Sequence, residues 1–351
     1  MKTNALTLPV LFTAGAQVLA GCASSGPAAS GSTDSAGALR VVATTTQVAD
    51  FTREIAGDAA SVTQLVQPNQ SAHSYDPSAA DLAALGSADV LVINGAGLEE
   101  WLDDAISASG FSGTTIDAST GIELSDDEAG DGHSHDHADE AEHTDEAEHT
   151  DEADAEHAHE AGNPHIWTDP HLAEHMVQTI ADGLAEADPA ASADFEAHAT
   201  AYDAKLAELD EWIHGNVDQV PEAERLLVSN HDAFTYFVDA YGITYVGSVI
   251  PSFDDNAEPS AAEIDELVAK IKQTGVKAVF SEASISPKAA DTIASEAGVK
   301  VYSGDDALYG DSLGPEGSDG ATYLASQIHN VTVIVESWGV TPTTVPADLE
   351  D

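Results

Sequence analysis

Four residues of this sequence have side chains suited to a divalent metal, and each follows a strand-like run. They are His73 in Ser-Ala-His-Ser-Tyr-Asp-Pro, His165 in Asn-Pro-His-Ile-Trp-Thr-Asp-Pro, His231 in Val-Ser-Asn-His-Asp-Ala-Phe and Asp311 in Leu-Tyr-Gly-Asp-Ser-Leu-Gly. Three imidazoles and one carboxylate complete the tetrahedral ligand set of zinc. Manganese would accept this set if the carboxylate bound through both oxygens, because it favours oxygen and higher coordination numbers. The pattern predicts a transition-metal site.

Spacing alone leaves the fourth ligand open, because Asp305 and Asp306 lie close to Asp311 in the chain. A zinc hydrolase is an alternative use of the same residues. It would need an open coordination position and a nearby general base, for which Glu282, Asp232 and Asp305 are the candidates. Four protein ligands leave no position for a water nucleophile, which argues against hydrolysis.

A second group of histidines lies in an acidic segment, residues 126–160, between the first two candidate ligands. They are His133, His135, His137, His143, His149, His157 and His159. The segment repeats Ala-Glu-His-Thr-Asp-Glu from Ala141 and Ala147 and has almost no residue that could form a core, so we expect disorder. These histidines could bind zinc weakly and pass it to the four-residue site. The alternative is a solvated linker with no role in binding.

The surrounding elements alternate between β-branched runs and helical stretches, which favours parallel sheets flanked by helices. The predicted strands are 41–46, 61–66, 90–94, 114–117, 225–229, 243–250, 276–281 and 299–303. The predicted helices are 48–56, 78–85, 98–107, 190–218, 232–241, 261–274, 286–297 and 323–338. In open α/β sheets, ligands bind beyond the carboxyl ends of strands, so we expect the four residues to meet in a cleft between the two halves.

The predicted fold class is α/β, with two lobes that each contain a mostly parallel sheet flanked by helices. Apolar residues at three- and four-residue steps from Phe195 to Ile213 predict one long amphipathic helix between the lobes. Such a helix would be a stiff connector that permits only small movements of the lobes. The predicted organisation is a signal peptide at 1–22, a flexible tether at 23–38, a first lobe at 39–189 with the insert 126–160, a connecting helix at 190–218 and a second lobe at 219–351.

The charge of the chain excludes one class of partner. Lys and Arg number 10 against 63 Asp and Glu, for a formal net charge of −53, and neither Lys nor Arg occurs between Arg53 and Lys205. Such a surface repels nucleic acid and anionic lipid, because phosphate binding needs clustered cations. We expect a monomer without a nucleic-acid partner.

The N-terminus has the features of an export signal. Lys2 precedes a mostly apolar stretch at 5–18, which is too short to span a bilayer permanently. Leu19-Ala20-Gly21-Cys22 then resembles a bacterial lipobox, in which the cysteine is lipidated. Cys22 is the only cysteine, so disulfides within the chain are excluded. We expect an extracytoplasmic protein held on the cell membrane by a lipid on Cys22 alone, since no later run reaches about 18 apolar residues.

Several motifs occur in one known order along residues 39–338. They are Val-Val-Ala-Thr-Thr at 41–45, His73 with Tyr75-Asp76-Pro77, Asn94-Gly95 with Leu98-Glu99, Pro164-His165-Ile166-Trp167, His231-Asp232-Ala233-Phe234 and Asp311-Ser312-Leu313-Gly314. In this order the sequence resembles the zinc/manganese ABC-transporter solute-binding lipoproteins.

The resemblance implies two α/β lobes bridged by a long helix, with a metal held between them by His73, His165, His231 and Asp311. Within the family, histidine as the third ligand, here His231, and a His-rich insert both favour zinc over manganese. The implied function is delivery of Zn²⁺ to an ABC permease in the cytoplasmic membrane, without catalysis. A manganese or iron receptor of the same build and a surface adhesin are the alternatives. One departure is Ala72, where the family commonly has proline.

Overall fold

Strands and helices follow the β-branched and amphipathic runs of the sequence in the computed structural model, which describes residues 38–125, 162–252 and 257–350. The strands are β1 (Leu39–Ala43), β2 (Ala60–Gln64), β3 (Val90–Ile93), β4 (Thr114–Asp117), β5 (Leu226–Ser229), β6 (Thr244–Ser248), β7 (Ala278–Phe280) and β8 (Lys300–Tyr302). The helices are α1 (Thr46–Ala56), α2 (Ala79–Ser87), α3 (Leu102–Ser109), α4 (Pro170–Ala187), α5 (Ser192–Val217), α6 (Thr235–Ala240), α7 (Ala261–Thr274), α8 (Lys288–Ala297) and α9 (Tyr323–Trp338). The described residues belong to one compact unit, Gly37–Asp351.

The first four strands form a parallel sheet in the order β2-β1-β3-β4. Val41 on β1 pairs with Val62 on β2 and with Val90 on β3. The inner strands β1 and β3 are largely buried, as expected for parallel strands with helices on both faces. Because the strands are parallel, their carboxyl ends meet at one edge, where the chain enters the loops that carry the first two candidate ligands.

The second half contains two parallel pairs, β5-β6 and β7-β8, where the sequence predicted one mostly parallel sheet. Strand β5 lies beside β7, but the ladder between the pairs is not continuous. The β5-β6 register also shifts between Leu227 and Val228. Beyond β7, Glu282 forms an isolated parallel bridge with Leu308. The α/β class with parallel sheets flanked by helices is confirmed.

Two predicted helices begin later than expected, because the residues ahead of them form loops. Helix α3 begins at Leu102, since Gly95, Ala96 and Gly97 have φ angles of 79°, 54° and 78°, which a right-handed helix cannot contain. Helix α6 begins at Thr235, and the Asp232 amide donates to a loop carbonyl instead. The predicted capping box at the start of α2 is present, formed by the side chains of Ser78 and Asp81.

Helix α4 was not predicted, although its start carries a recognisable signal. Asp169 caps the helix by accepting from the His171 amide, and Pro170 occupies the first turn. The buried face of α4 includes Met176, Val177 and Ile180, at helical spacing. This face joins the core between the first sheet and α5.

Helix α5 has 26 residues, slightly fewer than predicted, and is about 39 Å long. Its buried face includes Phe195, Tyr202, Leu206, Leu209 and Ile213, which are the residues that predicted it. It packs against α1 and α4, and also against α9 near the end of the chain. Among the described residues, no helix is both long and apolar enough to cross a membrane.

Candidate metal centre

The four candidate ligands converge in the structure. One ligand atom from each of His73, His165, His231 and Asp311 lies within 4.8 Å of the others. The side chains of the last three are fully buried, whereas the His73 side chain is 9 % exposed. Residues separated by up to 238 positions in the sequence therefore form one cluster.

The distances between ligand atoms match the edges of a coordination tetrahedron. His165 Nε2 lies 3.2 Å from the Nε2 atoms of both His73 and His231, and 3.1 Å from Asp311 Oδ1. His231 Nε2 lies 3.0 Å from the same oxygen, and His73 Nε2 lies 4.0 Å from it. Ligand atoms about 2.1 Å from a tetrahedral ion lie about 3.4 Å from one another. An ion of zinc's size fits among these atoms with small adjustments.

Asn163 fixes the position of the proton on His165. Its Oδ1 accepts from the backbone N of His165 at 3.1 Å and from the ring Nδ1 at 2.7 Å. Its Nδ2 donates to the Asp232 carbonyl and to Thr235 Oγ1, so Oδ1 is the accepting end of the amide. His165 Nδ1 therefore carries the proton, and Nε2 presents a lone pair to the cluster.

Glu282 has the corresponding role for His231. Its Oε1 accepts from the backbone N of His231 at 3.2 Å and from Nδ1 at 2.7 Å. With Nδ1 donating outward, the Nε2 of a neutral His231 also offers a lone pair. A carboxylate, a histidine and the cluster then lie in a row, as in many zinc proteins.

These hydrogen bonds leave the cluster centre rich in acceptors. With His231 neutral, the Nε2 lone pairs of two imidazoles and Asp311 Oδ1 face one another at 3.0 to 3.2 Å, with no donor between them. Asp311 Oδ2 is buried and has no hydrogen-bond partner among the residues that the structure describes. Buried acceptors this close repel one another unless a positive charge lies between them.

Without a metal, one proton supplies part of that charge. Burial lowers the pKa of His165 to about 3, despite the attraction of Asp311. Burial also acts to lower the pKa of His231, but Asp311 and Glu282 outweigh it and raise that pKa well above the ordinary 6.5. Burial opposes ionisation of Asp311, yet its attraction to His231 holds the Asp311 pKa well below its usual value. The metal-free site therefore holds an imidazolium at His231 at neutral pH.

Helix α1 holds the segment that carries Asp311. Gln47 Nε2 donates to the carbonyl of Gly310 at 3.3 Å, and the Leu313 amide donates to Thr46 Oγ1 at 2.8 Å. These bonds join the first turn of α1 to both sides of the fourth ligand. The carboxylate thus reaches the cluster from a segment that is bonded to the other half of the chain.

The loop that carries His73 has its own supports. The carbonyl of the fully buried Ala72 accepts from Trp101 Nε1 at 2.8 Å. The amide of Asn69 donates to Oγ of Ser312, the residue after Asp311, at 2.8 Å. Ala72, which stands where the family commonly has proline, is therefore held in the loop by the hydrogen bond to its carbonyl and by complete burial.

The alternative ligands and bases lie outside the cluster. Asp305 and Asp306 are exposed in a short 3-10 turn, where Asp306 Oδ2 lies 4.0 Å from Lys300 Nζ. Glu282 contacts His231 on the ring edge opposite Nε2, so it does not face the point where a water nucleophile would bind. Asp232 accepts at Oδ1 from Thr235.

Sequence reasoning missed one supporting residue and misjudged another. Asn163 lies two residues before His165 and was not singled out, although an amide so close to a ligand histidine is a usable signal. Glu282 was considered only as a general base. The insert histidines and Cys22 lie outside the described residues, so their predicted roles stay predictions.

Comparison with known proteins decides the family. The model of a family described as zinc-uptake complex component A, periplasmic (ZnuA), matches residues 41–337. The chain belongs to the ZnuA family. Members of the ZnuA family are solute-binding proteins and not enzymes, so the hydrolase alternative falls away. The resemblance recognised in the sequence is confirmed.

Relatives within this group are named for different metals. The manganese-binding lipoprotein MntA of Halalkalibacterium halodurans is 31 % identical over 329 residues, covering 91 % of this chain and 94 % of MntA. The zinc-binding protein AdcA of Streptococcus pyogenes serotype M3 is 33 % identical over 267 residues, covering 76 % of this chain and 50 % of AdcA. The periplasmic zinc binding protein TroA of Treponema pallidum has a similar structure, with a TM-score of 0.72, 26 % identity and coverage of 86 % of this chain and 99 % of TroA.

Proposed function

We propose that this chain is an extracytoplasmic receptor that captures Zn²⁺ at His73, His165, His231 and Asp311 and delivers it to an ABC-type permease. The observation that carries the proposal is the convergence of lone pairs and a carboxylate on one buried point. A divalent cation there would turn the mutual repulsion of these atoms into attraction. Membership of a family of uptake-complex components supports delivery to a membrane partner.

Zinc is favoured by the donor set, and manganese is the second candidate. Three imidazole nitrogens and one carboxylate oxygen suit zinc in four-coordinate geometry. The unpartnered Oδ2 of Asp311 favours manganese, because binding through both oxygens would raise the coordination number. The name of MntA supports manganese, and the name of AdcA supports zinc.

Attachment to the membrane through a lipid on Cys22 is part of the proposal. The lipobox-like sequence supports it, as does the description of MntA as a lipoprotein. The segment 23–38 would then be the tether, and the insert 126–160 would bind zinc weakly outside the main site. The proposed roles of these two segments follow from the sequence alone.

Competitive titration tests the proposed metal. We expect protein purified without added metal to contain about one zinc per chain by elemental analysis. We also expect zinc to displace manganese when both are present at equal free concentration, since divalent affinities follow the Irving–Williams order. If the protein retained manganese against excess free zinc, the proposed metal would be manganese. If neither metal bound tightly, the proposal would be refuted.

Zinc affinity is expected to fall as the pH drops through neutrality. The raised pKa of His231 means that this ring is protonated in the metal-free protein, and zinc must displace the proton. Affinity should therefore fall about tenfold for each pH unit below that pKa, while His165, with its pKa lowered to about 3, adds no proton. Calorimetry in buffers of different ionisation enthalpy would measure the release of about one proton per zinc near pH 7. Release of none would contradict the assignment of the proton to His231.

A further inference from the structure

Glu282 is a buried carboxylate that lies outside the four-ligand cluster but contacts one ligand and the segment that carries another. It follows β7 by two residues and is 2 % exposed. Its only ion-pair partner among the described residues is His231. An isolated carboxylate in the interior is costly, so its position needs a compensating role.

One side of Glu282 fixes the orientation of His231. Its Oε1 accepts two hydrogen bonds from that residue, at 3.2 Å from the backbone N and 2.7 Å from ring Nδ1. The backbone bond fixes the oxygen relative to the chain, and the ring bond fixes the imidazole plane relative to the oxygen. The direction of the Nε2 lone pair follows from these two bonds.

The other side of Glu282 contacts the segment that carries Asp311. Within the described part of the chain, its Oε2 has no hydrogen-bond partner, and it packs against Gly310, the residue before that ligand. A Cβ added to Gly310 would lie 2.0 Å from Oε2, so a side chain at this position would displace the carboxylate. The same segment pairs with the Glu282 strand through the Leu308 amide and carbonyl, each in a 2.9 Å hydrogen bond.

Building on the proposed function, we propose that Glu282 is a positioning residue that sets His231 and Asp311 at the spacing a divalent ion requires, and that its charge completes the neutrality of the loaded site. The carboxylate binds His231 through Oε1 and packs against Gly310, the residue before Asp311, through Oε2, so it constrains both ligand-bearing segments. With a divalent cation bound, the carboxylates of Asp311 and Glu282 balance its two charges. The buried, loaded site then has no net charge, which is the least costly arrangement in a low-dielectric interior.

Two substitutions at Glu282 separate geometry from charge. In Glu282→Gln the amide oxygen can still accept from His231, but the negative charge is gone. We expect zinc affinity to fall roughly 10- to 100-fold, mainly through faster dissociation, while the visible spectrum of the Co²⁺-loaded protein stays that of the wild type. In Glu282→Ala the ring loses its support as well, so affinity should fall further and the Co²⁺ spectrum should change.

Two further variants complete the experiment. Gly310→Ala should alter the Co²⁺ spectrum, because its Cβ displaces the Glu282 carboxylate. Asp50→Asn is the matched control, since Asp50 is also a buried carboxylate, and the donor it accepts from is the Tyr323 amide and not one of the four ligands. We expect its zinc affinity to stay near that of the wild type. Melting curves of each metal-free variant would show whether it is folded.

The outcomes distinguish this inference from the proposed function. Wild-type protein that binds neither zinc nor Co²⁺ would overturn both. Wild-type binding with unchanged affinity and spectra in Glu282→Gln and Glu282→Ala would overturn the positioning role alone. An equal loss of affinity in Asp50→Asn would also overturn it, because the effect would then belong to any buried carboxylate.

Discussion

The His231→Ala variant binds zinc at least about 100 times more weakly than the wild type. Structural zinc sites bind with about 10–16 kcal/mol from four ligands, so one ligand contributes about 3 kcal/mol, and each 1.4 kcal/mol is a factor of about ten. His231 lies within 3.2 Å of two other ligand atoms and is fully buried, so water replaces it poorly. Competition with a chromophoric chelator would measure the change.

The His171→Ala variant is the matched control for this experiment. His171 lies on α4, and its side chain is 82 % exposed. Its removal should leave zinc affinity unchanged. The metal-free His231→Ala protein should remain folded, because the Glu282 carboxyl, whose pKa burial already raises, can take up a proton when its partner is lost. Equal affinities of His231→Ala and wild type would contradict the assigned site.

Saturating zinc raises the melting temperature of the wild-type protein by roughly 8–15 °C. Free zinc at about 1,000 times its dissociation constant stabilises the folded state by about 4 kcal/mol, if zinc does not bind the unfolded chain. One kcal/mol shifts the melting temperature by about 2–4 °C in domains of about 150–250 residues. Calorimetry over a range of free zinc concentrations would record the shift.

The shift should depend on the four-ligand cluster. A strong chelator should reverse it, and the His231→Ala variant should lose most of it at the same free zinc concentration. A shift that survives in His231→Ala would mean that zinc stabilises the chain elsewhere. The insert histidines lie outside the described residues and would then be the first place to examine.

The candidate ligands were predictable because each obeys a rule that is local in sequence. A histidine or aspartate shortly after a β-branched run lies at the carboxyl end of a strand, and parallel strands bring those ends together. His231, for example, lies two residues beyond β5. The exposure of Asp305 and Asp306 is a tertiary property, and only the fold separates them from Asp311.

The supports of the ligands were less predictable, because they depend on contacts between distant segments. Glu282 is 51 residues from His231, and no local pattern marks the pairing. The division of the second half into two strand pairs was missed because strand propensity does not report which neighbours share a ladder. Helix α4 is different, since the Asp169-Pro170 start is a local signal that could have been read.

The bonds on either side of Asp311 bear on the thermodynamics of capture. Its segment is tied by hydrogen bonds within the protein to α1, through Gln47 and Thr46, and to the His73 loop, through Ser312. The conformational entropy of this ligand is therefore lost when the chain folds, so its ordering does not reduce the free energy of metal binding. A preorganised carboxylate of this kind favours tight capture from a dilute environment.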